Sequence, residues 1–118
     1  MFYKASKFAP EALNWNTGQV SNMKQMFEYA TEFNADITSW DTSRVTLMTL
    51  MFHGASKFAP EALNWNTGQV SYMNRMFEHA TKFNADITSW DTSHVIDMSS
   101  MFMEAGAFNS DISKWVRH

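Results

Sequence analysis

The stretch FNADITSWDTS occupies residues 33–43 and returns, letter for letter, at 83–93. A catalytic constellation is assembled once from dissimilar residues, so a long phrase repeated unchanged points to a chain built of interchangeable units. Laying residues 1–50 over 51–100 leaves 38 of 50 positions identical. Inside each block lies a shorter period: MFYKASKFAPEALNWNTGQVSNMKQ (1–25) and MFEYATEFNADITSWDTSRVTLMTL (26–50) align without gaps, and MFMEAGAFNSDISKWVRH (101–118) opens a fifth, partial copy. The chain is read as one repeat domain, 1–118, with units 1–25, 26–50, 51–75, 76–100 and 101–118. Both ends interrupt a unit, and a longer parent array is expected, with unusual caps as the alternative.

The bulky residues obey this period. The Phe fall in two columns (Phe2, Phe27, Phe52, Phe77, Phe102 and Phe8, Phe33, Phe58, Phe83, Phe108) and the Trp in one (Trp15, Trp40, Trp65, Trp90, Trp115). Large apolar groups at fixed phase mark a core that each unit can cover only with its neighbours.

Val20, Met23, Met26, Phe27 and Ala30 recur at i, i+3, i+6, i+7 and i+10, which predicts a short amphipathic helix. Ser21, Thr46 and Ser71 would cap it, and Asp97 would take over where Ile96 stands in the fourth copy. After Ala30 the β-branched pair Ile37 and Thr38 and then Trp40 read as a short strand, closed by turns at NTGQ and DTSR. The expected fold is an α/β, right-handed solenoid of leucine-rich-repeat-like units with one short helix and one short strand per repeat. Helices about 10 Å apart over strands about 4.8 Å apart would curve it, strands inside.

The net charge of −3 and the lack of any basic run argue against a nucleic-acid partner. With no Cys there are no disulfides and no thiol chemistry. No stretch approaches the roughly 18 apolar residues of a membrane span.

The string W-[DN]-T-x-x-V-[ST]-x-M-x-x-M-F-x-x-A-x-x-F-x-x-[DE]-[IA], running here from Trp40 to Ala62, resembles the 25-residue repeats of the BspA-like leucine-rich-repeat group, including mycoplasma-type surface lipoproteins and bacterial surface antigens. The resemblance implies a secreted or cell-surface location and a role in adhesion and host recognition. Only four Leu are present, so Met, Phe and Val fill places that other leucine-rich repeats give to Leu.

One acidic residue per unit forms a column: Glu11, Asp36, Glu61, Asp86 and Asp111. With Ile37 and its equivalents pointing inward, alternation turns these acids outward beside Leu13, Thr38, Leu63 and Thr88. This face is the candidate binding surface for a basic protein segment or a cation, unless each carboxylate serves only its own turn or a neighbouring Lys. Differences between the two blocks cluster at Asn22/Tyr72, Lys24/Asn74, Gln25/Arg75, Tyr29/His79 and Glu32/Lys82, expected to be solvated positions, with Tyr72, Arg75 and His79 as a second candidate surface. His53, His79 and His94 sit at different phases and His118 is terminal, which gives no metal-ligand spacing. No nucleophile and base can be singled out from residues that recur as scaffold. The expectation is a non-enzymatic protein-interaction or adhesion module without cofactor or metal and with a protein partner. The alternative is a structural spacer that stacks on further copies through its ends.

Overall fold

The computed structural model describes residues 15–115. Successive units form layers, with the second layer at 26–50, the third at 51–75 and the fourth at 76–100. Within the described residues there is no helix, and strand pairing is reduced to isolated parallel bridges, Asn22 to Leu47 to Tyr72 to Asp97 and Ala62 to Asp86. The α/β fold with one helix and one strand per unit is therefore corrected to a stack of turns.

The backbone shows why no helix forms. From Met23 to Ala30 the amides alternate between two destinations, apart from that of Lys24, which donates to Asn22 Oδ1. Met23, Gln25, Phe27 and Tyr29 donate to the carbonyls of Leu47, Thr49, Met51 and His53 in the next layer, at 2.7–3.0 Å, while Met26, Glu28 and Ala30 donate three residues back, to Met23, Gln25 and Phe27. A helix would need all of these amides for its own i−4 carbonyls. The alternation also requires left-handed backbone at two fixed phases. Gln25, Leu50, Arg75 and Ser100 lie at φ 56–60°, and Tyr29, His79 and Glu104 at 58–59°, with Gly54 at 73° in the same column. Each such non-glycine residue costs about 1–2 kcal/mol, offset here by hydrogen bonds that tie one layer to the next.

The expected turns do form. Asn16 and Asn66 accept from the amides of Gly18 and Gly68, and Asp41 and Asp91 from those of Ser43 and Ser93. Ser21, Thr46 and Ser71 cap nothing; the Ser21 carbonyl accepts instead from Thr46 N at 2.8 Å. Asp97 likewise closes a turn onto the amide of Ser99.

The core is made of ladders. Phe27, Phe52, Phe77 and Phe102 stack at 5.5–5.7 Å between ring centroids, Phe33, Phe58, Phe83 and Phe108 at 5.6–6.0 Å, and Trp40, Trp65, Trp90 and Trp115 at 5.8–6.5 Å. Near-equal spacing in all three columns removes the reason for the expected curvature. Each stacked pair adds about 0.5–1.5 kcal/mol beyond burial. Thr17, Thr42 and Thr67 are buried, and their hydroxyls donate to the carbonyls of Asp41, Asn66 and Asp91 one layer on.

The third layer differs from the second and fourth by one residue of register. The indole Nε1 of Trp65 donates to Ile37 O, that of Trp90 to Leu63 O, and that of Trp115 to Ile87 O. Leu63 thus takes the interior place that Ile37 and Ile87 hold, although the ungapped alignment sets it beside Thr38 and Thr88.

Candidate functional site

The acidic column begins with a local turn. Asp36 Oδ1 accepts from both the amide of Thr38, at 3.0 Å, and its hydroxyl, at 2.7 Å, and Asp86 holds Thr88 in the same way at 3.0 and 2.8 Å. Asp111 accepts from the amide of Ser113 at 2.9 Å. The three carboxylates are solvent-exposed, as are Glu61, Thr38 and Thr88. These bonds favour the ionised form. The Thr38 hydroxyl and then its amide hold Asp36 below the usual 3.8; for Asp86 and Asp111 the amide of Thr88 or Ser113 comes first and its hydroxyl second.

Leu63 is fully buried and leaves this face, because the register slip carries it into the core. Glu11 and Leu13 lie outside the described residues. Of the remaining groups, Asp36 and Thr38 line one dent and Thr88 and Asp111 another, whereas Glu61 and Asp86 line neither. One of about 290 Å³ is lined by Asn34, Ala35, Asp36, Thr38, Ala59 and Pro60, and one of about 230 Å³ by Thr88, Asp111 and Lys114. Their linings, mostly small and polar, suit a peptide backbone or a side-chain tip better than a compact apolar ligand.

The positions that vary between blocks are exposed or half-buried wherever they are described, apart from His53 and Gly54. Tyr72 is 38 % and Ile96 is 68 % exposed. Tyr72, Arg75 and His79 lie along one edge of the third and fourth layers, Tyr72 on a bridge and the other two at left-handed turns.

His53 shows what a reading along the chain missed. It is buried between two carboxylates: Nδ1 lies 2.8 Å from Glu28 Oε2 and Nε2 lies 3.1 Å from Glu78 Oε1. Gln25 Nε2 donates to the other oxygen of Glu28 at 2.8 Å. The three residues are 25 apart, so the period that arranges the aromatics would have revealed the trio had polar residues been read down the columns.

Among known proteins, a family model described as "Mycoplasma protein of unknown function, DUF285" matches residues 1–71 and again 37–118, so the two matches together span the chain. No curated protein and no solved structure matches it.

Proposed function

Taking as premise that the chain belongs to this Mycoplasma family of unknown function, DUF285, we propose that it is a non-enzymatic protein-interaction module of a bacterial surface or secreted protein. On this reading its units are those of the BspA-like surface repeats, and its role is adhesion to a protein partner.

The observation that carries the proposal is the division of labour between positions. Ladder residues recur from layer to layer and are buried, or partly buried at Phe102 and Phe108, while the residues that vary between blocks are, wherever described and with two exceptions, exposed or half-buried. A scaffold that fixes its interior and varies its surface is suited to presenting side chains at a regular pitch. Two edges compete for the contact. The acidic edge offers Asp36, Glu61, Asp86 and Asp111 with two dents for a basic segment. The opposing candidate offers Tyr72 and Arg75, residue types enriched among interface hot spots.

The test is a binding comparison on host cells and purified extracellular proteins. One variant carries Asp36→Asn, Glu61→Gln, Asp86→Asn and Asp111→Asn, which removes the charge while each Asn can still close its turn. The other carries Tyr72→Ala and Arg75→Ala. Loss confined to the first places the contact on the acidic edge, and loss confined to the second on the Tyr72 edge. A folded parent chain that binds none of these targets, yet grows in mass with concentration, replaces the module with the stacking spacer.

A further inference from the structure

Pairing along the acidic edge fails at one place. Between the third and fourth layers the backbone is closed there: Asp86 N donates to Glu61 O at 2.9 Å and Leu63 N to Asp86 O at 3.1 Å. Between the fourth and fifth, Asn109 N donates to Asn84 Oδ1 at 2.6 Å, and the Ser110 hydroxyl donates to Ala85 O at 2.7 Å. Between the second and third, the first of these two bonds recurs, from Ala59 N to Asn34 Oδ1 at 2.9 Å, and the second has no counterpart. Pro60 stands where the fifth unit has Ser110, and a proline offers neither a hydroxyl nor an amide hydrogen. Ala35 O, the equivalent of Ala85 O, therefore accepts no hydrogen bond among the described residues.

Ala35 is 3 % exposed and lines the dent of about 290 Å³ together with Asn34, Asp36, Thr38, Ala59 and Pro60. A carbonyl with no donor is costly to bury, so this one favours a group that brings a donor. Two further acceptors line the same dent. Asp36 commits Oδ1 to the amide and hydroxyl of Thr38 and leaves Oδ2 without a partner among the described residues. The Thr38 hydroxyl, having donated its hydrogen, keeps lone pairs with which to accept. The exposed Lys57 does not serve Asp36, because it is paired with Glu32 at 3.0 Å.

Three oxygens and one negative charge thus line a dent whose opposite wall, Ala59 and Pro60, is apolar. A lysine ammonium has three donors and no acceptor, and it is carried on a stem that packs along apolar surface. Calcium and magnesium ask for about six or more oxygens, which this lining does not supply. In the second dent Lys114 lies beside Asp111 and Thr88, so there the chain brings an ammonium of its own. From these contacts we infer that the dent between the second and third layers seats a lysine side chain of the protein partner, with the ammonium on Ala35 O, Asp36 and Thr38 and the stem along Ala59 and Pro60. The inference rests on the acidic edge being the contact surface and names the group that edge takes.

The experiment is an amide NMR titration of the whole chain with Nα-acetyl-lysine N-methylamide, at neutral pH and physiological salt. Saturable shifts are expected at the amides of Ala35, Asp36, Thr38 and Ala59, and none from the Nε-acetylated compound, which lacks the charge and two of the donors. The amides of Ala85, Asp86 and Thr88, where Ser110 already serves the carbonyl, are the control in the same spectrum. Pro60→Ser leaves every charge in place and sets a hydroxyl against Ala35 O, as Ser110 does for Ala85 O, and is expected to weaken binding at least about tenfold. Asp36→Asn, which can still close its turn, is expected to weaken it as much, and decides the matter should Pro60→Ser fail to fold. Unchanged affinity in either folded variant, or shifts shared equally with Asp86 and Asp111, overturns the inference. Tighter binding of the arginine compound or of calcium chloride at the same amides overturns it too. Failure of this titration leaves the Tyr72 edge to carry the adhesion reading, whereas a chain that holds the lysine compound and binds no host protein keeps the ammonium site and loses that reading.

Discussion

Two kinds of column run through the interior. In the first, Phe27, Phe52, Phe77 and Phe102 repeat one ring at one spacing, and shifting a layer by a whole unit would restore every contact. In the second, only one pairing of layers brings His53 between Glu28 and Glu78. The first column supplies cohesion without distinguishing layers. The second distinguishes them, because Glu28, His53 and Glu78 meet only when their three layers pair in this order. A repeat array therefore needs few irregular positions to fix which layers pair.

The comparison breaks most visibly at the ladders. Phe77 is fully buried, stacked on Phe52, Phe83 and Phe102. Phe77→Ala is expected to cost about 3–5 kcal/mol in urea unfolding, and a cost near that of a surface change would remove the ladder from the account. A smaller effect belongs to the polar rungs. Trp65→Phe keeps most of the stacking and removes the bond to Ile37 O, leaving a buried carbonyl with one partner fewer, at about 1–2 kcal/mol. An unchanged midpoint would show that the rung contributes nothing.

The smallest effect is at the exposed turns. Asp86→Ala should lower stability slightly at neutral pH, and Asp86→Asn less. Because the carboxyl is held below 3.8 in the folded chain, its contribution is present above that value and lost as pH falls through the lowered one. The parent and Asp86→Ala should therefore converge in acid. Divergence there would mean that the turn is not what the carboxylate serves.

Much of this arrangement was legible in the sequence. The Phe and Trp columns, the unit length and the Asn and Asp turns followed from period and turn chemistry alone. The helix did not survive, because Val20, Met23, Met26, Phe27 and Ala30 fit a helical stripe and a chain of three-residue turns equally well. What separates the two is left-handed backbone at Gln25 and Tyr29, and neither residue type announces it. The continued beat Phe27, Ala30, Phe33, three residues apart throughout, was the available hint. Leu63 misled for a different reason. Residues 59–65 and 84–90 have equal length, so an ungapped alignment hides the place where one layer turns a residue later than the next. On the site side, the outward placement of the acids was legible from alternation, but the commitment of Asp36, Asp86 and Asp111 to Thr38, Thr88 and Ser113 depends on side-chain geometry. Comparing His53 with the other histidines alone leaves out its carboxylate partners, one unit away on either side.

The stack of turns itself is tested most directly by one amide. In the structure Phe77 N donates to Met101 O at 2.9 Å, whereas the helix expected from the sequence would send it to Met73 O. A through-hydrogen-bond NMR coupling between Phe77 N and the Met101 carbonyl carbon is the expected result. A coupling to Met73 instead would restore the helix and contradict the layered account.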